Sequence, residues 1–432
     1  MTILTRHDVM IHNVFEPAFL ASDFAIANEI GDIIWKTPTE DYWDDLIDLG
    51  QVDVCWGGGP TLFDQLMIED YLEVLNSTLM VEVASRINAT IAGAVMKRNN
   101  SAGDLVWIAA AISSFGFTVN HEFLDLYELP TPMSWTDLAK PIYGSLLKAI
   151  PTIAMGNAPD TTSNTRIYEI ITQGMGWDTG WVTMARMAGS ASIFGGSVEV
   201  QNAAETGQVG IAMSIDFYGY GTQYRNPDCE YILPEGESIV NGDPIAIAST
   251  GSKKDLAEGF LDFVLSSYGQ SLWLDPSINR MPVMREAFDE PLGLAAPQLY
   301  INFKQTIANV GIYFNDTISL GSKVSFIHYF EAVFTDAHSE LVDCWDAILK
   351  AYTRSTNPIT LTQLNDLATL MGATVTVADP DTLVMEKFTL AYATEINGDM
   401  YSSASFLSAI KISWTAAAKA QYISVMASVP AP

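Results

Sequence analysis

Val52-Asp53-Val54-Cys55-Trp56-Gly57-Gly58-Gly59-Pro60-Thr61-Leu62-Phe63-Asp64-Gln65-Leu66 decides the fold class of this chain. A short β-type run, Val52 to Trp56, enters three glycines. Pro60 then occupies the first position of a helix, where its missing N–H costs nothing. Upstream lie another β-type run, Thr2 to Thr5, a helical segment carrying Phe15, Phe19 and Phe24, a third run from Asp32 to Lys36, and a polar helix from Trp43 to Leu49. The order is β-α-β-α-β, which predicts a parallel sheet in an α/β protein, with ligands outside the carboxyl ends of the strands. Those ends carry Arg6, His7 and Asp8, and Trp56, Gly57, Gly58 and Gly59. Glycines let the backbone turn with its amides bare, and the helix start adds positive partial charge, so an anion or polar group could be held without a basic side chain. A purely structural βα turn would read the same way. No GK[ST] follows, which excludes a Walker-type nucleotide loop.

A second turn of the same kind runs from Gly156 to Thr165. The β-type run Thr152 to Met155 precedes it, and a helical pattern at Ile167, Ile170, Ile171 and Met175 follows. Thr161, Thr162 and Ser163 are candidate ligand contacts there, although any residue from Asp160 to Ser163 would also serve as a helix cap. A third constellation follows the buried-strand pattern Val209 to Ile215: Asp216, Tyr218 and Tyr220 stand at its end. Tyrosine offers a flat apolar face with a hydroxyl, suited to an organic solute or, as phenolate, to ferric ion.

Composition narrows the function. The chain has 432 residues, 49% of them hydrophobic, enough for more than one core. Its 21 Lys plus Arg against 51 Asp plus Glu give a net charge of −30, so it lacks the basic face that nucleic-acid binding needs. Charged residues make up 17%, below the average of about 25%, and the scarcity of Lys and Arg fits either an extracytoplasmic compartment in acidic or saline surroundings or a soluble protein of an ordinary cell with an accidental bias. Cys55, Cys229 and Cys344 form neither a disulfide framework nor a zinc site. The N-terminus has no signal-peptide pattern, so a signal or anchor segment is expected to be absent from this chain. The most apolar stretch, Val106 to Phe117, is too short to span a bilayer.

Several passages carry a family resemblance. Trp135-Thr136-Asp137-Leu138, then Pro141-Ile142-Tyr143-Gly144, then the Pro159 to Thr165 turn resemble extracellular solute-binding proteins of ABC importers. The likeness continues in order through Glu205 to Gly210, Gly242 to Ile247, Ala257 to Gln270 and Arg280 to Val283, and so covers roughly the first 285 residues. It implies the type II periplasmic-binding fold, near the branch that carries ferric ion, thiamine or phosphonates. The implied organisation is residues 1–117 as the first part of lobe one, 118–238 as lobe two, 239–285 as a return to lobe one, and 286–432 as a helical extension packed on lobe one.

The resemblance implies capture of a small solute in an interlobe cleft, closure of the lobes, and delivery to ABC permease subunits by an extracytoplasmic monomer. Arg6, His7, Trp56, Gly57, Gly58, Gly59, Thr161, Thr162, Ser163, Asp216, Tyr218 and Tyr220 are the expected contacts. No cofactor is expected and no metal is assigned. Were ferric ion the cargo, its ligands would be His7, Tyr218 and Tyr220. The iron-binding pattern, however, has a carboxylate where this chain has Gly57 to Gly59, and adjacent tyrosines where Gly219 intervenes here. Backbone-rich turns suit a ligand with an anionic or hydrogen-bond-accepting group, with Arg6 as its cationic partner.

The remaining segments read as scaffold. Ser252 and Asp255 resemble a capping box ahead of an apolar face of Leu256, Phe260, Phe263 and Val264. In the tail, Ile327, Phe334, Leu341 and Ile348 recur every seven residues with Phe330, Ala337 and Cys344 between them, a helical seam that leaves His328 and His338 on the surface. HExxH, GxSxG and EF-hand patterns are absent, so no enzyme is expected. The alternatives are a cleft enzyme for a phosphorylated or carboxylated metabolite and a ligand-sensing input domain.

Overall fold

The computed structural model describes residues 1–431. In chain order the principal elements begin with β1 (Thr2–Thr5), α1 (Val9–Leu20), β2 (Ile34–Lys36), β3 (Val54–Trp56), α2 (Pro60–Ile68), β4 (Lys97–Asn99) and β5 (Leu105–Asn120). The middle of the chain forms β6 (Ile153–Gly156), α3 (Thr162–Met175), α4 (Trp177–Gly189), β7 (Ala191–Phe194), α5 (Ser197–Glu205), β8 (Ile211–Ile215), α6 (Asp216–Arg225) and β9 (Cys229–Ile232). Then follow β10 (Val240–Ile247), α7 (Lys254–Val264), α8 (Asp316–Phe330), α9 (His338–Thr353), α10 (Leu361–Gly372) and α11 (Ala404–Ser428).

The chain divides into two compact units. One holds Met1–Ser114 with Ile239–Gly311, and the other holds Phe115–Ser238 with the chain from Ile312 onward. In the first unit β1 pairs in parallel with β2 and β3, while β10 pairs antiparallel with β3 and with the first part of β5. In the second, the last part of β5 pairs antiparallel with β8 and β9, and β8, β6 and β7 run parallel in that order. The apolar stretch around Val106 to Phe117 is therefore strand, and all of β5 after Leu105 is buried. A strand covered on both faces reads as a continuous hydrophobic run.

Aromatic rings dominate the first unit's core. Trp56 is fully buried at the end of β3, edge-on to Phe15, Phe260 and Trp273. His12 of α1 stacks on Trp35 with centroids 4.1 Å apart and planes within 3°. Its Nε2 is sheltered and has no partner among the described residues. Burial first, and the neighbouring His7 second, lower its pKa to about 4 against the opposing pull of Asp8 and Glu16.

The C-terminal extension corrects one expectation. Residues 286–311 belong with the first unit, but those from Ile312 onward pack with the second. Small residues explain this docking. A Cβ on Gly372 of α10 would lie 2.6 Å from the Val182 backbone of α4, and one on Gly189 of α4 would lie 2.9 Å from Trp345 of α9, so these helices cross at close range. Trp345 is fully buried, and its Nε1 donates to Ser190 Oγ at 3.0 Å. The seam buries Phe330, Phe334, Ala337, Leu341, Cys344 and Ile348, with Ile327 half-buried. It is carried by α8 and α9 joined through a wider turn of π type, Glu331–Thr335. Burial pushes the Cys344 thiol up to about 12, so it stays a reduced hydrophobe.

Two local readings also change. Helix α7 starts at Lys254 without a side-chain cap, so Ser252 forms no capping box. His338 does not lie on the surface: its Nε2 is 3.1 Å from the Ala188 carbonyl of α4, and burial lowers its pKa.

Replacing Trp345 with Ala empties a filled space beside Gly189 and orphans Ser190, and should cost about 3–5 kcal/mol. Equilibrium urea denaturation followed by circular dichroism measures this loss. A second expectation concerns acid. The folded pKa of His12 lies below the ordinary value of 6.5, so the unfolded chain takes up the proton first. The stability linked to its neutral form is complete above 6.5 and is lost as the pH falls from 6.5 toward about 4. His12→Phe preserves the stack on Trp35 and should flatten this part of the stability curve, measured by urea midpoints from pH 7 to pH 4.

Candidate functional site

In the first unit the parallel strands β1 and β3 end side by side, at Thr5 opposite Trp56. The glycine turn between β3 and α2 is conformationally obligatory: Gly57, Gly58 and Gly59 have φ of +76°, +115° and +88°. Gly57 also makes room for a ring, since a Cβ there would lie 2.2 Å from His7 Nε2. His7 itself is buried and stands edge-on to Trp56, with centroids 4.7 Å apart. Its Nε2 is 2.7 Å from Asp243 Oδ2 on β10. The same carboxylate meets Arg280 at 3.1 Å and accepts the Gly58 amide at 3.3 Å. Burial pushes the Asp243 carboxyl up, but Arg280, His7 and Gly58 outweigh it and hold it at about 2. Burial drives His7 below its ordinary value, only partly countered by Asp243, and Arg280 adds to the lowering.

This geometry revises the expected contacts. Trp56 has no accessible surface and is a core residue. The His7 Nε2 is spent on Asp243, so His7 supports the turn from beneath. The amides of Gly57 and Gly58 are not bare, because they donate to the Pro244 carbonyl at 2.8 Å and to Asp243. What the turn offers outward is the exposed surface of Gly58 and the start of α2, which has no N-cap side-chain bond. Arg6 is exposed alongside: a Cβ on Gly58 would meet its Cγ at 3.1 Å, and its Nη1 donates to the Pro38 carbonyl.

In the second unit, the parallel strands β6 and β7 both end in turns that open helices. Thr161 holds the N-cap position of α3, but its hydroxyl donates to the Asn157 carbonyl at 3.3 Å and leaves the helix uncapped. Thr161 is buried, Thr162 is exposed, and Ser163 lies at the edge of burial. Ser163 Oγ is 2.9 Å from Ser197 Oγ, at the first residue of α5, whose N-cap Gly196 has no side chain. Two helix starts without an N-cap side-chain bond thus meet through a hydroxyl pair, and the Glu199 carboxylate in the first turn of α5 lies against Gly196. Sequence reading missed Ser197, although Phe194-Gly195-Gly196-Ser197 repeats the strand-glycine-helix pattern of Trp56 to Pro60.

The tyrosine constellation is only partly available. Asp216 is fully buried, and its carboxylate takes the Phe217 amide at 2.8 Å. Tyr220 is buried edge-on to Tyr231 at 5.0 Å, so it faces its own unit. Tyr218 is half-buried beside Phe217, at 4.6 Å between centroids. With His7 bonded to Asp243 and Tyr220 packed inward, the set His7, Tyr218 and Tyr220 is not displayed as metal ligands. Among the described residues no three His, Cys, Asp or Glu side chains gather as a metal-binding group.

Known proteins share this architecture. The structure of the periplasmic binding protein AfuA from Actinobacillus pleuropneumoniae, with fructose 6-phosphate bound, superposes with a TM-score of 0.53 at 16% identity, over 71% of this chain and 98% of AfuA. Iron-bound HitA from Pseudomonas aeruginosa gives 0.52 at 15% identity, over 71% of this chain and 99% of HitA. In sequence, the phosphoglycerate transport regulatory protein PgtC of Salmonella typhimurium is 26% identical over 255 residues, which is 58% of this chain and 59% of PgtC. The family model described as bacterial extracellular solute-binding protein matches residues 58–307, more than half of the chain. With strand ends, glycine turn and paired helix starts arranged as above, the chain belongs to the bacterial extracellular solute-binding proteins, a family of extracytoplasmic solute binders rather than enzymes, on the type II periplasmic-binding fold.

Proposed function

We propose that this protein captures a small anionic solute, a phosphorylated or carboxylated metabolite, outside the cytoplasm and hands it as a monomer to the permease of an ABC importer. Solute capture is the business of its family. The anionic character of the solute rests on one observation, the meeting of the α3 and α5 starts at Ser163 and Ser197. Helix starts without an N-cap side-chain bond carry positive partial charge, and two hydroxyls can turn toward an acceptor, so a phosphate or carboxylate would be solvated there without a basic side chain. In the first unit, the α2 start with Gly59 and the exposed Arg6 offers the same chemistry. Ferric ion, the cargo named for HitA, would need anionic or imidazole ligands that the inward-facing His7 and Tyr220 do not supply.

A second reading has support from the name of PgtC, a transport regulatory protein. In it, the loaded chain reports the solute to a membrane sensor. ATP-driven uptake in vesicles carrying the cognate permease separates the two: uptake that depends on this chain supports delivery, and its absence with retained solute binding supports sensing.

Titration calorimetry of the full chain with 3-phosphoglycerate, fructose 6-phosphate and ferric citrate tests the ligand class. The expected result is saturable binding of a phosphorylated compound and none of ferric ion. The double substitution Ser163→Ala with Ser197→Ala should weaken that binding at least tenfold, about 1.4 kcal/mol, at unchanged melting temperature. Affinity untouched by the double substitution, or ferric ion as the sole ligand, would overturn the anion reading.

A further inference from the structure

The family model ends at residue 307, yet the chain from Ile312 onward lies along α3, the helix whose start carries Thr162 and Ser163. The contacts follow the helix from its far end to its beginning. Gln173 donates to the Asn315 carbonyl and to Ser319, and accepts the Asn315 amide at 2.9 Å. Arg166, nearly buried, donates to Asp316 at 2.8 Å, with the Phe314 ring 4.5 Å from its guanidinium carbon. Tyr168 stacks on Phe330, with centroids 4.3 Å apart and planes within 12°, and its hydroxyl donates to the Gly156 carbonyl in the turn at 2.7 Å. The last contact reaches the turn directly: Thr335 Oγ1 donates to Asn157 Oδ1 at 2.8 Å.

We propose that the C-terminal extension braces the solute-contacting turn of the second unit, with Thr335 and Asn157 as its positioning residues. This rests on the reading above for its functional meaning, but its structural part stands on the contacts alone. The logic lies in the carboxamide of Asn157. An Asn side chain presents an acceptor on one side and two donors on the other, and only its partners decide which way it faces. Because Thr335 donates to the oxygen, the nitrogen must face Asp160, and it does so, donating to Asp160 Oδ2 at 2.7 Å. Asp160 immediately precedes the N-cap Thr161, which makes it the carboxylate nearest in sequence to the α3 amides. Engaged by Asn157, it is held in the turn, and α3 keeps no side-chain cap. The brace thus keeps the protein's own carboxylate from competing with an anionic solute. A segment outside the family core sets the availability of the amides without touching the solute.

Thr335→Val removes the donor and preserves the shape, so folding is not at stake. Hydrogen exchange of the full-length variant, resolved by mass spectrometry, should accelerate in peptides covering residues 156–165 and nowhere else in α4, α8 or α9. Binding of 3-phosphoglycerate should weaken three- to tenfold at unchanged melting temperature, and Thr335→Ser should restore both. Unchanged exchange at 156–165 would overturn the brace whatever the ligand, and so would faster exchange spread evenly through α4, α8 and α9. Local acceleration in a protein whose wild type binds none of the phosphorylated compounds leaves the brace standing and defeats the ligand assignment instead.

Discussion

Amides at a helix start can serve a solute only if the protein's own side chains leave them alone. Most helix starts are stabilised by a short polar side chain that folds back onto these amides, and this chain uses the device freely: Asp8, Ser77, Asn315, Thr360 and Ser403 all do so. The starts of α2, α3 and α5, each following a parallel strand, go without. In a chain with 51 acidic and 21 basic residues, free cations are scarce and nearby carboxylates are not. Fixing where those carboxylates sit is the constraint around which the neighbouring structure is organised. Asp243 is held by His7, Arg280 and the Gly58 amide, Asp160 by Asn157, while Glu199 lies against Gly196 at the start of α5.

The backbone side of this arrangement was legible in the sequence. Three glycines between a strand and a proline demanded positive φ, and all three have it. What could not be read was the direction of side chains at strand ends. Trp56 stands where a ligand contact would be expected, but it turns into the core because Phe15, Phe260 and Trp273 cover it, and two of these arrive some two hundred residues later. His7 likewise points inward because Asp243 on the returning strand claims it. Long-range pairing, which no local pattern encodes, decides between display and burial. Ser197 is a different case, since its strand-glycine-helix grammar was present and simply recurs a third time.

The extension shows the same division. A seven-residue apolar recurrence correctly marked one buried face, including Cys344. Its partner was invisible, because docking depends on small residues, Gly189 and Gly372, whose importance lies in the closeness of approach they permit rather than in any pattern of their own. The result is a second unit whose core belongs as much to the tail as to the family fold, with Trp181, Tyr329, Phe388 and Trp414 in one aromatic cluster.

Neither unit is a continuous piece of chain: the first closes only with residues 239–311, the second only with those beyond 312. During synthesis, then, no early segment owns a complete core, and many stabilising contacts join residues far apart in sequence. Such topologies collapse late and slowly. Folding of either unit therefore waits on a segment that is synthesised long after its first strands.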